Sequence, residues 1–328
     1  MERAGAVAVK SVMVAQKVTI SAMPQTTLAS PRLVDAIADF VSKFSIETTP
    51  KEGARLASYA DYLPKGTRVY IAHIAGTPYT DLIALAARLR KEGFVPVMHL
   101  TARDMPNKAT LDDVLARYTG EAGSEEVLLI AGDMPTPSGE FTDTLTILRT
   151  GTLEKRGIKA IGLAGHPEGS NTIGEARVRE AVKAKNAYAK ETSMKLRLVT
   201  QFGFEAAPFI AWEKQLRDEG ITLPVQVGIP GPASFPTLLR FAAECGVGAS
   251  IRALRSRAGS FAKLATVSHP DDVLLGIAAS VNETPGSLIQ GPHFFPFGGL
   301  KKTAEWLKAI AARNIEINSD GSGFSAKH

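Results

Sequence analysis

The chain has 328 residues, of which 45% are hydrophobic and 22% are charged, and its formal net charge at pH 7 is +5. This composition is typical of a soluble globular protein, and the length is sufficient for a large core. No apolar run reaches the roughly 20 residues that a membrane-spanning helix needs, and no zinc-finger or RNP-type spacing indicates nucleic-acid binding. Because Cys245 is the only cysteine, no intrachain disulfide can form. We therefore expect a cytoplasmic protein with neither nucleic-acid nor membrane partners, and the sequence leaves homo-oligomerisation open.

Three regions follow one another along the chain. Residues 1–40 are rich in Ala and Val but contain Lys10 and Lys17, so they lack the unbroken apolar segment of a signal peptide, and we predict an N-terminal extension. Residues 41–318 alternate short apolar runs with amphipathic segments, and residues 319–328 are predicted to be a C-terminal tail. The predicted strands cover residues 44–50, 68–74, 95–102, 126–133, 160–167, 196–204, 224–230 and 287–297.

The segments between these strands have the periodicity of helices. Residues 79–93 place Leu82, Leu85 and Leu89 on one stripe and end at Gly93, which is a typical C-terminal helix signal. Strand candidates each followed by a helix candidate predict a (β/α)₈ TIM barrel of one domain. The alternative is a doubly wound sheet, although its G-x-G-x-x-G fingerprint is absent. The long segment 250–286 is predicted to hold one or two extra helices before the last strand.

Polar or ionisable residues occur at the ends of the first six predicted strands. Any one of them has a simple explanation, since a strand that emerges into solvent becomes polar. A succession of them favours a common cavity, because the active site of an α/β barrel lies at the carboxyl ends of its strands. These residues are Glu47, His73, His99 with Thr101, Asp133, His166 and Gln201.

Two chemistries would use such a ring of side chains. His73, His99 and His166 would suit a metal ion, although the sequence has no His-x-His pair and no helical His-Glu motif. Alternatively, burial at a barrel mouth would raise the pKa of Glu47, which would then act as a general acid toward an organic ligand. Glu47 would also serve as a structural hydrogen-bonding group, and composition alone does not decide between these roles.

Several motifs occur in a fixed order along residues 44–300: SIETTP, HLTARDM, LLIAGDMP, AGHPEGS, LVTQFGFE and VGIPGPASF. Together they resemble the methylenetetrahydrofolate reductase family, over the catalytic barrel only. The resemblance implies a flavoprotein of one-carbon metabolism and methionine biosynthesis that holds FAD at the strand ends. It implies hydride transfer from NAD(P)H to FAD and then to 5,10-methylenetetrahydrofolate, giving 5-methyltetrahydrofolate. The reverse oxidation and the identity of the electron donor remain open.

The resemblance also implies roles for individual residues. Glu47 matches the general acid that protonates N10 of the folate, and Asp133 matches the aspartate that tunes the flavin and orients the folate. Gln201 and Phe241 match substrate-binding positions, and Lys185 would pair with the FAD pyrophosphate. The other implied cofactor contacts are His73, His99, Thr101, Ala131, Gly132, Asp133, Gly162 and His166, and no metal ligand is implied.

The chain departs from the family at two of these positions. Ala131 stands where the family often has an arginine, and Gly162 is the nearest match to a tyrosine of the fifth strand. A second hypothesis is therefore a non-catalytic or degenerate barrel that acts as a subunit of a methyl-transfer complex. A third is a metal-dependent barrel hydrolase that uses the histidines.

Overall fold

Eight parallel strands close into a barrel in the computed structural model. The structure describes residues 30–132, 134–169, 174–245 and 267–327. The barrel strands are β1 Ser45–Thr48, β2 Arg68–Ile71, β3 Val95–Thr101, β4 Glu126–Ile130, β5 Ala160–Gly165, β6 Lys195–Phe202, β7 Val225–Pro230 and β10 Ile289–Phe295. Neighbouring barrel strands follow chain order, and β10 closes the ring by pairing with β7 on one side and β1 on the other. The predicted TIM barrel and its strands are confirmed.

Helices cover the outside of the barrel. They are α1 Ser30–Val41, α2 Pro50–Gly53, α3 Tyr79–Lys91, α4 Lys108–Ala122, α5 Thr144–Leu148, α6 Thr152–Lys155, α7 Glu175–Glu191, α8 Ala206–Asp218, α9 Phe235–Glu244, α10 Asp271–Glu283 and α11 Leu300–Ala311. Side-chain caps fix several helix starts: Asn107 accepts a hydrogen bond from Thr110 N before α4, and Asp143 accepts one from Thr146 N before α5. No helix of the described residues is long and apolar enough to cross a membrane.

Both ends of the described chain are integrated into the domain. All but the last residue of helix α1 lie within the predicted extension, but the helix buries Leu33, Ile37 and Val41 in the core and lies against α10 and α11. Within the predicted tail, β12 Phe324–Ala326 pairs antiparallel with β11 Ile315–Ile317, which precedes the tail. Helix α1 and the β11–β12 pair are therefore part of the folded structure that the described residues form.

The long connection before the last barrel strand contains the predicted extra helix. Helix α10 confirms it, and β9 Val267–Ser268 pairs with β8 Ala233–Ser234. The earlier part of this connection, residues 246–266, lies outside the described residues.

The core has two layers of different chemistry. Between the barrel and the helices it is aliphatic and aromatic, and each fully buried side chain there contributes roughly 1.5–3 kcal/mol to stability. Inside the barrel, a smaller apolar cluster surrounds the Tyr70 ring and contains Val97, Leu128 and Val199. Polar side chains extend from this cluster toward both ends of the barrel, so the barrel interior contains polar as well as apolar side chains.

Candidate functional site

The centre of the barrel mouth is the carboxylate of Glu47 on β1. Its Oε1 lies 3.3 Å from Nε2 of His99 on β3 and 3.4 Å from Nε2 of His293 on β10. The contact with His99 lacks hydrogen-bond geometry, and this buried nitrogen makes no hydrogen bond in the structure. Three strands therefore deliver one carboxylate and two imidazoles to the same point.

The two imidazoles reverse the expected pKa shift of Glu47. Burial raises the pKa of the carboxyl group, but the contacts with His293 and His99 outweigh burial and lower the pKa to about 2. The prediction of a raised pKa is wrong, because the sequence did not show that two histidines surround the group. The carboxylate of Glu47 is therefore ionised at neutral pH in the free protein, and burial lowers the pKa of His293 as well.

His293 is a candidate site residue that the sequence analysis missed. Its side chain is 0% exposed, and its Nδ1 lies 2.9 Å from Oγ of Ser45, two residues before Glu47. A histidine in the apolar run of the last strand was the available signal. Ser45, His293 and Glu47 thus form a continuous hydrogen-bonded unit on two adjacent strands.

One side of the mouth is polar. We define the polar side by Thr101, Gly132, His166 and Lys185, which lie at or beside the ends of β3, β4 and β5. Gly132 has a φ of 88°, which favours glycine, and a Cβ at this position would lie 3.4 Å from Cβ of Thr101. The backbone after β4 therefore comes close to the end of β3.

His73 supports this side from within. Its Nδ1 lies 2.9 Å from Oγ1 of Thr101, and its Nε2 lies 2.9 Å from the carbonyl oxygen of Thr77. Because a carbonyl can only accept, Nε2 carries the hydrogen, and both ring nitrogens are engaged within the protein. The ring also stacks on Tyr79. The structure thus gives His73 a role in holding Thr101, and direct contact with a ligand is a prediction only.

The buried ammonium group of Lys185 and the imidazole of His166 lie next to the end of β5. The Nζ of Lys185 donates to the carbonyl oxygen of Ala164 at 3.3 Å, and the residue is 5% exposed. Burial lowers its pKa to about 8, and burial together with the nearby Lys185 charge lowers the pKa of His166 to about 4. Lys185 makes no ion pair with any of the described residues. Asp143 favours this charge from beyond ion-pair distance. A buried cation with no ion-pair partner among the described residues favours an anionic ligand.

The three remaining residues that were predicted to contact the cofactor, Ala131, Gly162 and Asp133, do not share one location in the described structure. The carbonyl oxygen of Ala131, directly after β4, accepts a hydrogen bond from Arg103 N at 2.9 Å. Gly162 lies in the middle of β5, where a Cβ would meet Leu128 at 2.8 Å, so it lies below the mouth rather than at its rim. Asp133 lies outside the described residues, and its role stays a prediction.

The opposite side of the mouth is aromatic. We define the aromatic side by Phe202, Phe295, Phe297 and Phe241, which come from the ends of β6 and β10 and from α9. The rings of Phe241 and Phe297 stack with centroids 4.1 Å apart, and Phe202 meets Phe297 edge-on at 4.8 Å. Gln201 joins this side, with its Oε1 accepting a hydrogen bond from Phe202 N.

The metal hypothesis is not supported by how the histidines are arranged. Across the described ranges, no group of three or more His, Cys, Asp or Glu side chains is arranged to hold a metal ion. His73 is engaged by Thr101 and Thr77, whereas His99 faces Glu47.

Comparisons with known proteins agree with this architecture. Methylenetetrahydrofolate reductase 1 of Schizosaccharomyces pombe is 27% identical over 157 residues, which are 46% of this chain and 25% of the relative. Methylenetetrahydrofolate reductase 2 of Saccharomyces cerevisiae is 28% identical over 171 residues, 49% of this chain and 27% of the relative. The aligned region thus spans about a quarter of the length of these relatives.

A solved structure supports the fold independently. It belongs to an uncharacterized protein from Clostridium thermocellum that binds two copies of 5-methyl-5,6,7,8-tetrahydrofolic acid, and it matches with a TM-score of 0.51 at 11% identity. The match covers 85% of this chain and 99% of that chain. The family model for methylenetetrahydrofolate reductase matches residues 54–254, more than half of the 328 residues. The chain belongs to the methylenetetrahydrofolate reductase family.

Proposed function

We propose that this protein is an FAD-dependent oxidoreductase that interconverts 5,10-methylenetetrahydrofolate and 5-methyltetrahydrofolate, with NAD(P)H as electron donor in the reductive direction. The observation that carries the proposal is the carboxylate–imidazole pair of Glu47 and His293, which lies at the barrel mouth between the polar side and the aromatic side. The reaction class is inferred from membership of the family, and the roles of the polar and aromatic sides are inferred from their geometry.

The polar side fits FAD. The buried Nε2 of His99 makes no hydrogen bond within the protein, which suits a ligand with polar atoms on its ring edge. The buried ammonium of Lys185 suits a pyrophosphate, and Gly132 lets the backbone approach closely. FAD, when bound, supplies or takes the hydride. His99, Gly132 and Lys185 would bind and orient it, with Thr101, Ala131 and His166 adjacent.

The aromatic side fits the folate. A pterin is flat and heteroaromatic, so it stacks favourably on phenylalanine rings. Phe241 and Phe297 offer such a surface beside Gln201, whose amide group would hydrogen-bond the pterin edge. Stacking on one side of the mouth would hold the reacting carbon close to the ligand on the other side.

The central pair moves the proton. In the reductive direction, the Glu47–His293 pair would take up a proton from solvent and pass it to N10 of the folate, and the bond between N10 and the bridging carbon would break. The electron pair of that bond stays on N10, the bridging carbon becomes an iminium carbon on N5, and addition of a hydride turns it into the methyl group. In the oxidative direction the pair accepts the N10 proton again. Positioned proton transfer of this kind contributes about 10²–10⁴ in rate.

An anaerobic titration tests the proposal. Purified protein incubated with FAD should retain a stoichiometric yellow flavin, and NADH, NADPH or 5-methyltetrahydrofolate should bleach it. The order in which the three reagents act identifies the donor and the favoured direction. Failure to retain FAD, or a retained flavin that neither the nicotinamides nor the folate reduces, would contradict the proposal. Folate binding without flavin reduction would favour the non-catalytic barrel.

A further inference from the structure

The aromatic side of the mouth has an exposed arginine resting on one of its rings. Arg240 directly precedes Phe241 on α9, and the central carbon of its guanidinium lies over the Phe241 ring, 4.7 Å from the ring centroid. Phe297 stacks on the same ring with centroids 4.1 Å apart and an interplanar angle of 15°. A phenyl ring stacked this closely fills the face that it covers, so the guanidinium lies on the other face. Both faces of Phe241 are therefore covered.

Arg240 is turned toward this ring although an acidic residue is available to it. Elsewhere in the chain, an arginine with a glutamate four positions away on the same helix pairs with it, as Arg117 does with Glu121 at 2.8 Å. Arg240 has Glu244 four positions away, yet it forms no ion pair with Glu244 or with any other residue that the structure describes. The following segment, 246–266, contains no Asp or Glu. The guanidinium thus keeps an uncompensated positive charge at the mouth.

We propose that Arg240 is a specificity-determining residue of the aromatic side, which couples stacking on Phe241 to the presence of a carboxylate on the ligand. A flat ligand takes the place of the guanidinium on the ring, and its carboxylate then binds the displaced guanidinium. A flat ligand without an anionic group must also displace the guanidinium but gains no compensating contact. The identity of the ligand as a folate, whose glutamate end carries carboxylates, rests on the proposed function.

The guanidinium can leave the ring at a small cost. A guanidinium is planar and more weakly hydrated than an ammonium, so it rests favourably on a phenyl ring. At an exposed position such a contact changes an affinity by only about 2–5-fold. Helix α9 does not depend on this side chain, because Leu238 and Ala242 hold the helix against the buried cluster beneath it. The side chain can therefore move while the backbone of α9 stays in place.

The displaced guanidinium remains next to the ligand. Arg240 and Phe241 are consecutive residues, so a ligand on the Phe241 ring lies within reach of the flexible arginine side chain. A guanidinium can donate two parallel hydrogen bonds to one carboxylate, and charge-assisted bonds of this kind are roughly twice as strong as neutral ones. The lost ring contact is therefore offset for an anionic ligand and not for a neutral one.

Two ligands with the same rings test this coupling: folic acid and its dimethyl ester, which has no carboxylate. Folic acid does not carry the hydride of a reduced folate, so binding to the full chain in saturating FAD is measured without turnover. Isothermal titration calorimetry gives the dissociation constants of both ligands for the wild type and for Arg240→Ala. Because Arg240 is exposed and alanine is the most favourable residue in a helix, this variant should fold normally.

The variant should affect the two ligands in opposite directions. We expect the wild type to bind the acid about tenfold more tightly than the ester. In Arg240→Ala the ester should bind about 2–5-fold more tightly than it binds the wild type, because nothing covers the ring. The acid should bind about 2–5-fold more weakly, because its partner is gone, so the preference for the acid should nearly vanish.

Lys301→Ala is the matched control. Lys301 is also an exposed cation close to the aromatic side, in the first turn of α11, but it pairs with Glu305 at 3.9 Å. This variant should leave the affinity of the ester unchanged and keep the preference for the acid. An equal loss of that preference in both variants would assign it to net charge and would overturn the proposal.

Two further results would overturn the proposal: an ester that binds no better to Arg240→Ala than to the wild type, or a preference for the acid that survives in Arg240→Ala. Binding of both ligands without any dependence on Arg240 would leave the proposed function intact. If the wild type binds neither ligand, both this proposal and the placement of folate on the aromatic side fail.

A second measurement needs no folate. In NMR spectra of the full chain labelled at arginine, the side-chain protons of Arg240 should be shifted upfield by the ring current of Phe241. Arg240→Ala assigns these resonances by their loss, and Phe241→Leu should move them to the positions of a solvent-exposed arginine. Resonances already at those positions in the wild type would show that the ring is uncovered and would overturn the proposal.

Discussion

The two sides of the barrel mouth use opposite means to bind a ligand. On the polar side, Lys185 is buried without an ion-pair partner among the described residues, and Gly132 leaves the backbone open to close approach. On the aromatic side, Phe241 and Phe297 stack on each other and present ring faces. The polar side has a buried positive charge that an anionic ligand would neutralise, whereas the aromatic side offers a flat apolar surface for stacking.

Because of this difference, we expect the two sides to determine ligand affinity and Glu47, between them, to determine the rate of the reaction. An anion that neutralises Lys185 gains free energy from a buried charge, so the polar side should bind its ligand tightly and in a pH-dependent way. Stacking contributes less per contact and depends weakly on pH. Glu47 lies between the polar side and the aromatic side, in contact with His99 from β3 and His293 from β10. From this position its carboxylate can act on a ligand of the aromatic side without contributing to the binding of a ligand on the polar side.

The largest effect is expected where the two sides meet. Glu47→Gln should leave FAD and folate bound but lower the rate of the folate half-reaction by at least about 10²-fold, because an amide cannot pass a proton to N10. Reduction of the flavin by NAD(P)H, which needs no proton on N10, should proceed at close to the wild-type rate. Rapid-reaction absorbance at the flavin band measures both half-reactions, and an undiminished folate rate would refute the role of Glu47.

The second effect separates the polar side from the rest of the mouth. Lys185→Met should weaken FAD binding by about 10–100-fold, because a charge-assisted hydrogen bond to a phosphate is worth about 1.5–3 kcal/mol. Folate binding, followed by quenching of aromatic fluorescence, should change little.

Lys183→Met is the matched control. Lys183 is on the same helix but is 54% exposed in its side chain and pairs with Glu219. It should leave FAD affinity at the wild-type value. Equal losses of affinity in the two variants would show that the net charge of α7, rather than the buried ammonium, binds the flavin.

The sequence predicted the parts of this site that lie within single strands. Apolar runs bounded by Gly and Pro located the barrel strands, and Glu47 and His99 were found because each is ionisable inside such a run. His293 was missed because its strand ends in phenylalanines, and the residue pairs with Glu47 across a separation of 246 positions. Only closure of the barrel brings these two side chains together.

The polar groups in the barrel interior were harder to predict for a related reason. Tyr70, Arg197 and Gln226 stand within otherwise apolar strands, where a polar residue can point outward to the helices or inward to the barrel axis. The alternation that would reveal the direction is weak in strands that are buried on both faces. The pKa of Glu47 depends on His293 and His99, which come from other strands, and this is why the expected direction of its shift was wrong.

The third effect is a pH dependence confined to the polar side. Lys185 has a pKa of about 8 in the free protein because it is buried, and a bound pyrophosphate would raise that pKa. FAD affinity should then be constant below about pH 8 and fall by up to about tenfold per pH unit above it, since binding takes up a proton there. Isothermal titration calorimetry in buffers of different ionisation enthalpy measures that proton uptake. Lys185→Met should abolish the slope, and a slope that persists in the variant would assign it to another group.

The smallest effect is expected on the aromatic side. Phe297→Leu removes a ring that stacks at 4.1 Å on Phe241, and a stacked pair is worth about 0.5–1.5 kcal/mol beyond its buried area. The KM for folate should therefore rise about 2–10-fold while FAD affinity stays unchanged. Phe241→Leu should act similarly, and the double variant should cost less than the sum of the two, because each ring supports the other. Strict additivity would mean that the rings bind folate independently, and a loss of FAD affinity would mean that the two sides of the mouth are not separate.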